Sequence, residues 1–116
     1  MLFEFSITTP ANTPESNKQK TILKLLKGKI TNIVVWIPPG PSGLLHLQIF
    51  RSKRQIYPIN DGSSIAGDNL KLNISDEIAL FAEPYQLEAY TWNDDDTFEH
   101  TVDIYISLSR SGVFIE

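Results

Sequence analysis

Residues 30–50 constrain this chain more than any other stretch. A run rich in β-branched residues, Ile33-Val34-Val35-Trp36-Ile37, meets Pro38-Pro39-Gly40-Pro41-Ser42-Gly43, after which Leu44-Leu45-His46-Leu47-Gln48-Ile49-Phe50 follows. The first run has the composition of a buried strand, and the second alternates apolar and polar residues as a half-buried strand does. Between them, three prolines and two glycines exclude a helix and stiffen the connection. The expectation is two strands joined by a rigid, protruding loop. Pro38, Pro39, Pro41 and the neighbouring Trp36 are then candidate contact residues.

The remaining chain repeats this grammar. Phe3, Phe5 and Ile7 alternate with Glu4, Ser6 and Thr8, so the chain opens on a strand. Residues 9–19 are polar, with two prolines, and read as a long surface loop or an extended arm. Residues 20–29 read as a strand kinked at Gly28, with a short amphipathic helix as the alternative. The apolar residues on both faces of residues 30–37 predict a central strand, or one covered by a partner. Further strands are expected at 44–51, 55–59 (with Pro58 on an edge) and 70–75, and residues 76–83 fit a strand or one helical turn. Residues 85–92 and 98–108 read as a hairpin about Asn93-Asp94-Asp95-Asp96-Thr97, with Phe98, His100, Val102, Ile104, Ile106 and Leu108 on its core face. About eight strands in 116 residues predict one all-β domain, an antiparallel β-sandwich of jelly-roll type.

Composition excludes several classes. No apolar run approaches the roughly 20 residues of a membrane-spanning helix. The start, Met1-Leu2-Phe3-Glu4-Phe5, lacks the basic and apolar regions of a signal peptide, which predicts a chain made in the cytoplasm. The absence of cysteine excludes disulfides, thiolate metal sites and a cysteine nucleophile. A pI near 5.1, with no clustered basic and aromatic stripe, disfavours nucleic acid. Charge is divided unevenly. Residues 1–58 hold eight Lys/Arg against two Glu, a net +6, and residues 59–116 hold two against twelve Asp/Glu, a net −10. If strands of the two halves interleave these charges mix; if not, opposite poles would attract a second copy.

Chemistry-bearing residues are sparse. His46 and His100 lack the His-x-His pattern of a cupin metal site, where Gln48 would stand as the second ligand. Asp94, Asp95 and Asp96 are the weak candidates for a hard cation, but no EF-hand glycine or closing glutamate follows, and a solvated loop tip is the simpler expectation. No nucleophile elbow and no phosphate loop occurs. The expectation is therefore a protein without cofactor and without enzymatic activity. Tyr90, Trp92 and Tyr105 share a side with Glu88 and Asp103, opposite the inferred core face. Aromatics so placed stack on sugars, form a subunit interface or are covered from within the fold.

The order of residues carries a resemblance. Phe5-Ser-Ile-Thr-Thr-Pro-Ala-Asn-Thr-Pro-Glu-Ser leads to Lys27-Gly-Lys-Ile-Thr and Trp36-Ile-Pro-Pro-Gly-Pro-Ser-Gly-Leu-Leu-His-Leu-Gln-Ile. Gly67-Asp68 and Glu88-Ala-Tyr-Thr-Trp-Asn-Asp-Asp-Asp-Thr-Phe-Glu-His follow. This resembles small β-sandwich accessory virion proteins of tailed bacteriophages and prophages, of the capsid decoration or cement type. The resemblance covers most of residues 3–108 and implies a non-enzymatic homo-oligomer, such as a trimer, that binds a viral coat protein at the virion surface. Compatible with that reading, the strand from Phe3 through Phe5 to Ile7 would add to a neighbouring sheet and residues 9–19 would reach a neighbour, or both segments belong to the domain's own fold.

Overall fold

The computed structural model describes residues 1–110 as ten β-strands and one short 3₁₀ turn. The strands are β1 (Leu2–Thr9), β2 (Gln19–Lys24), β3 (Gly28–Ile37), β4 (Leu45–Arg51), β5 (Arg54–Tyr57), β6 (Ile65–Ala66), β7 (Leu70–Ile74), β8 (Ile78–Leu80), β9 (Gln86–Asn93) and β10 (His100–Ser109). They form two antiparallel five-stranded sheets that pack as a sandwich. Sheet A runs β1-β10-β3-β7, with β8 also on β3, and sheet B runs β2-β9-β4-β5, with β6 also on β4. The all-β sandwich is therefore observed, with ten strands rather than about eight. No helix of the described residues is long and apolar enough to cross a membrane.

Alternation decides which side chains enter the core. Ile33, Val35 and Ile37 of β3, Leu45, Leu47 and Ile49 of β4, and Val102, Ile104 and Ile106 of β10 are all at most 1% exposed. Each such side chain contributes roughly 1.5–3 kcal/mol over its exposed state. Strand β3 is central in sheet A, as its apolar character predicts. It also contains a bulge: Ser107 opposes Asn32 but Leu108 opposes Ile30, so Thr31 is the extra residue. The bulge lets both Ile30 and Ile33 face inward, although three residues apart in a strand point to opposite sides.

Several expectations are corrected. Residues 85–92 and 98–108 do not form a hairpin: β9 lies in sheet B between β2 and β4, and β10 lies in sheet A between β1 and β3. The loop between them crosses from sheet to sheet. Phe98 lies in that loop, 65% exposed, and not on the core face. Residues 20–29 are not one kinked strand, because the chain leaves sheet B after Lys24 and enters sheet A at Gly28. There a Cβ would stand 2.8 Å from the Ser109 carbonyl, so glycine permits the close approach of β3 to β10.

Residues 10–18 are not a free arm. Thr13 and Asn93 exchange backbone hydrogen bonds, and the Asn12 N–H donates to the Asp95 carbonyl. Phe3 and Phe5 point inward from β1 and pack, half-buried, against their own core. Pro41 is buried, and the Asp68 carboxylate accepts from the Gly40 and Ser42 N–H groups, which ties the proline loop to the body. Only Pro39 of the three prolines is exposed. Finally, sheet A alternates strands from the first and second halves of the chain, and β9 lies between two first-half strands in sheet B. The charges therefore interleave, as normal sandwich wiring demands.

Candidate interaction surface

The two outer faces of the sandwich differ in how far they are covered. Tyr90 and Trp92 belong to the outer face of sheet B, whereas Tyr105 and Trp36 belong to that of sheet A. Sequence alternation placed Tyr90, Trp92 and Tyr105 on one side, but alternation carries no information about which sheet a strand joins.

On sheet B the tryptophan is closed from within. Trp92 is 4% exposed. His46, its cross-strand partner, stacks on it with ring centroids 4.7 Å apart and planes within 4°. The Lys18 ammonium lies 5.0 Å from the indole centroid and donates to Gln48 Oε1. Gln48 itself is 1% exposed and donates to the Ser63 carbonyl. Gln55 gathers the same loop: its amide is shared among the carbonyls of Pro58, Asn60 and Ser63, and its Oε1 accepts from Gly62 N–H. Tyr90 packs edge-on against Phe50 at 4.9 Å. A sugar platform on Trp92 is thus ruled out by its covering. Beside Phe50 and Ile22, Glu88 holds a buried Oε2 without a hydrogen-bond partner among the described residues.

At one end of the sandwich the acidic loop is fastened to the fold. Asp95 Oδ2 meets His100 Nε2 at 2.8 Å, and Asp95 Oδ1 accepts from the Thr97 and Phe98 N–H groups. The Thr97 N–H, then the His100 ring and the Phe98 N–H, hold the Asp95 carboxyl below its usual range. The N–H groups of Ser42 and Gly40 do the same for Asp68. Asp94 Oδ2 lies 3.1 Å from His46 Nε2, so the two histidines engage neighbouring aspartates rather than a shared centre. Among the described residues no group of three or more His, Asp or Glu is gathered closely enough to hold a metal ion. At the opposite end a groove of about 410 Å³ between residues 24–25 and 83–86 sets Lys24 against Glu83 and lacks a paired aromatic wall.

On sheet A the outer face stays open. Val34, Trp36, Lys71 and Tyr105 line a groove of about 340 Å³. The register explains it: Tyr105 opposes Val34, and Trp36 opposes Lys71 on its other side. Val34, Trp36 and Tyr105 are each half-buried. Around them stand Glu4, Asp103, Asn73 and Lys71, a polar rim about an aromatic centre. Of the aromatic candidates, sequence reasoning named Trp36 and Tyr105 but did not bring them together. Val34 and Lys71 were missed, because only the β10-β3-β7 order makes them neighbours.

No protein-family model and no curated protein matches the chain. Among solved structures, the chain is similar to one described under "Bacillus endospore appendages form a novel family of disulfide-linked pili". That likeness has a TM-score of 0.34 and 11% identity, and covers 94% of this chain and 88% of that one.

Proposed function

We propose that this chain is a non-enzymatic structural protein of a virus particle, which self-associates and sits on a coat-protein lattice at the virion surface. The observation that carries the reading is the open aromatic groove of Trp36, Tyr105 and Val34 on the outer face of sheet A. An aromatic centre with a charged rim is the composition of a protein–protein contact. On the opposite outer face the tryptophan is covered, while Tyr90 and Phe50 stay half-buried against each other. The order of residues shared in style with phage decoration proteins supplies the class of partner. The proposed protein needs no cofactor, nucleic acid or membrane.

The experiment is co-sedimentation of the purified chain with capsids of the phage or prophage that encodes it. Binding that is lost on Trp36→Ser, with the variant still folded by circular dichroism, is the expected result. A chain that stays at the top of the gradient contradicts the proposal.

A second reading is favoured by the same groove: two aromatic rings beside a lysine are also the furniture of a sugar-binding module. Glycan-array binding that depends on Trp36 and Tyr105, with no capsid binding, would select it over the first.

A further inference from the structure

The four long flanks of the two sheets are not equally protected. Strand β2, the edge of sheet B below β1, carries Lys20 and Lys24 on its outer side, and β5 opens on Arg54 after Lys53 and is followed by Pro58. Strand β7 bears Lys71, and β8 is three residues long. These are the usual ways of blunting a sheet edge. Strand β1 has none of them: eight residues, no proline, no lysine and a single charge, Glu4.

The parity of β1 fixes what its edge presents. Met1 and Leu108 exchange both main-chain hydrogen bonds, Met1 N to Leu108 O at 2.8 Å and Leu108 N to Met1 O at 2.7 Å. In an antiparallel ladder such pairs alternate, so Phe3, Phe5 and Ile7 bond to β10, while Leu2, Glu4, Ser6 and Thr8 turn N–H and C=O outward. The Gln19 side chain, donating to the Thr8 carbonyl from outside the ladder, agrees with this. No strand of this chain pairs with the far side of β1 among the described residues.

We infer that β1 pairs antiparallel with β1 of a second copy, about a two-fold axis at Phe5, joining the two A sheets into one. The inference rests on the reading of a self-associating protein and names the contact. The one charge of β1 disfavours the neighbouring register. An axis at Glu4 would set Glu4 against Glu4 of the second copy, a like-charge pair. An axis at Phe5 sets Glu4 against Ser6, Leu2 against Thr8, Phe3 against Ile7 and Phe5 against Phe5. It covers the two half-buried phenylalanines and completes the outward N–H and C=O groups of Glu4 and Ser6, while at the Leu2–Thr8 pair the second copy must displace the Gln19 amide from the Thr8 carbonyl. A two-fold contact of this kind is self-complementary and closed. The lysines of β2 keep sheet B from joining across the same flank.

The test uses the lack of cysteine in this sequence. Glu4→Cys and Ser6→Cys chains are prepared separately and oxidised alone or mixed. Both positions are exposed, so folding is spared. Opposed residues in a bonded pair lie about 5.5 Å apart at Cα, within disulfide reach. Cross-linked dimer is expected only in the mixture. Sedimentation equilibrium of Ser6→Pro, which removes an outward N–H and leaves the β10 ladder intact, is expected to weaken the dimer by roughly tenfold or more. Cross-linking of Glu4→Cys alone as efficiently as the mixture overturns the register. A chain that remains monomeric at all concentrations, or a dimer indifferent to Ser6→Pro, overturns the contact. A dimer lost in Trp36→Ser but not in Ser6→Pro overturns β1 pairing and leaves the groove reading standing; capsid binding lost in Trp36→Ser with the β1 dimer intact supports both.

Discussion

Thr9 and Thr91 provide a direct probe of how the two sheets are held together. Thr9 ends β1 in sheet A and Thr91 lies within β9 in sheet B, and both are 0% exposed. The Thr9 hydroxyl donates to Thr91 Oγ1 at 2.8 Å, a polar link between the sheets beside the buried Asn93 amide, which donates to the Thr9 carbonyl at 3.3 Å. Thr91→Val keeps the volume but leaves the Thr9 hydroxyl buried without its acceptor, at a cost of about 1–3 kcal/mol. Thr9→Val likewise leaves the Thr91 hydroxyl buried without the Thr9 oxygen, at a similar cost of about 1–3 kcal/mol. Replacing both leaves two matched isopropyl groups, and the double variant should fall within about 1 kcal/mol of the parent. For a domain of this size each kcal/mol moves the midpoint by roughly 4 °C. Urea and thermal denaturation of the four proteins give a double-mutant cycle, in which the coupling should reach about 1 kcal/mol or more. Strictly additive losses, or a Thr91→Val chain as stable as the parent, would refute the inter-sheet link.

Three further outcomes follow from the geometry. Gly28→Ala forces a Cβ to 2.8 Å from the Ser109 carbonyl and 3.1 Å from Leu108 Cγ, and should lower stability by about 1–3 kcal/mol, read as a shift in urea midpoint. Ser52 and Lys53 both have positive φ (49° and 69°) at the β4–β5 turn, the arrangement that favours Asn-Gly, so Ser52→Asn with Lys53→Gly should raise stability by about 1 kcal/mol in the same assay. The depressed Asp95 carboxyl stabilises the fold fully above its ordinary pKa of 3.8 and loses that contribution as pH falls through the lower folded value. Asp95→Asn should therefore flatten the loss of stability below about pH 4, and an unchanged acid limb in denaturation midpoints would contradict the assignment.

Much of the fold was legible because burial in a strand follows a period of two. The inward row Leu45, Leu47, Ile49 follows from alternation alone, whereas residues 30–37, apolar on both faces, leave open that Ile33, Val35 and Ile37 are the inward row. Alternation reports a face, but never which sheet owns the strand. For that reason β9 and β10 looked like a hairpin, although they belong to opposite sheets. The tell-tale was the intervening loop: Asn93 Oδ1 accepts from Asp95 N–H and its amide donates to the Phe98 carbonyl, a compact turn chemistry suited to a crossing. Trp92 misled for another reason. Its cover comes from Lys18 and His46 and from a loop docked by Gln48, residues scattered along the chain whose convergence only the tertiary structure reveals. Trp36 was recognised because it sits in an apolar strand with nothing local to cover it.

The central claim is that the outer face of sheet A, and not that of sheet B, is where this chain meets its partner. Oxidative footprinting of the two tryptophans, read by mass spectrometry on the free chain and on the capsid-bound chain, tests it most directly. Trp36 should be modified in the free chain and protected on the particle, while Trp92 stays protected in both. Ready modification of Trp92 in the folded free chain, or a Trp36 equally reactive in both states, would contradict the account.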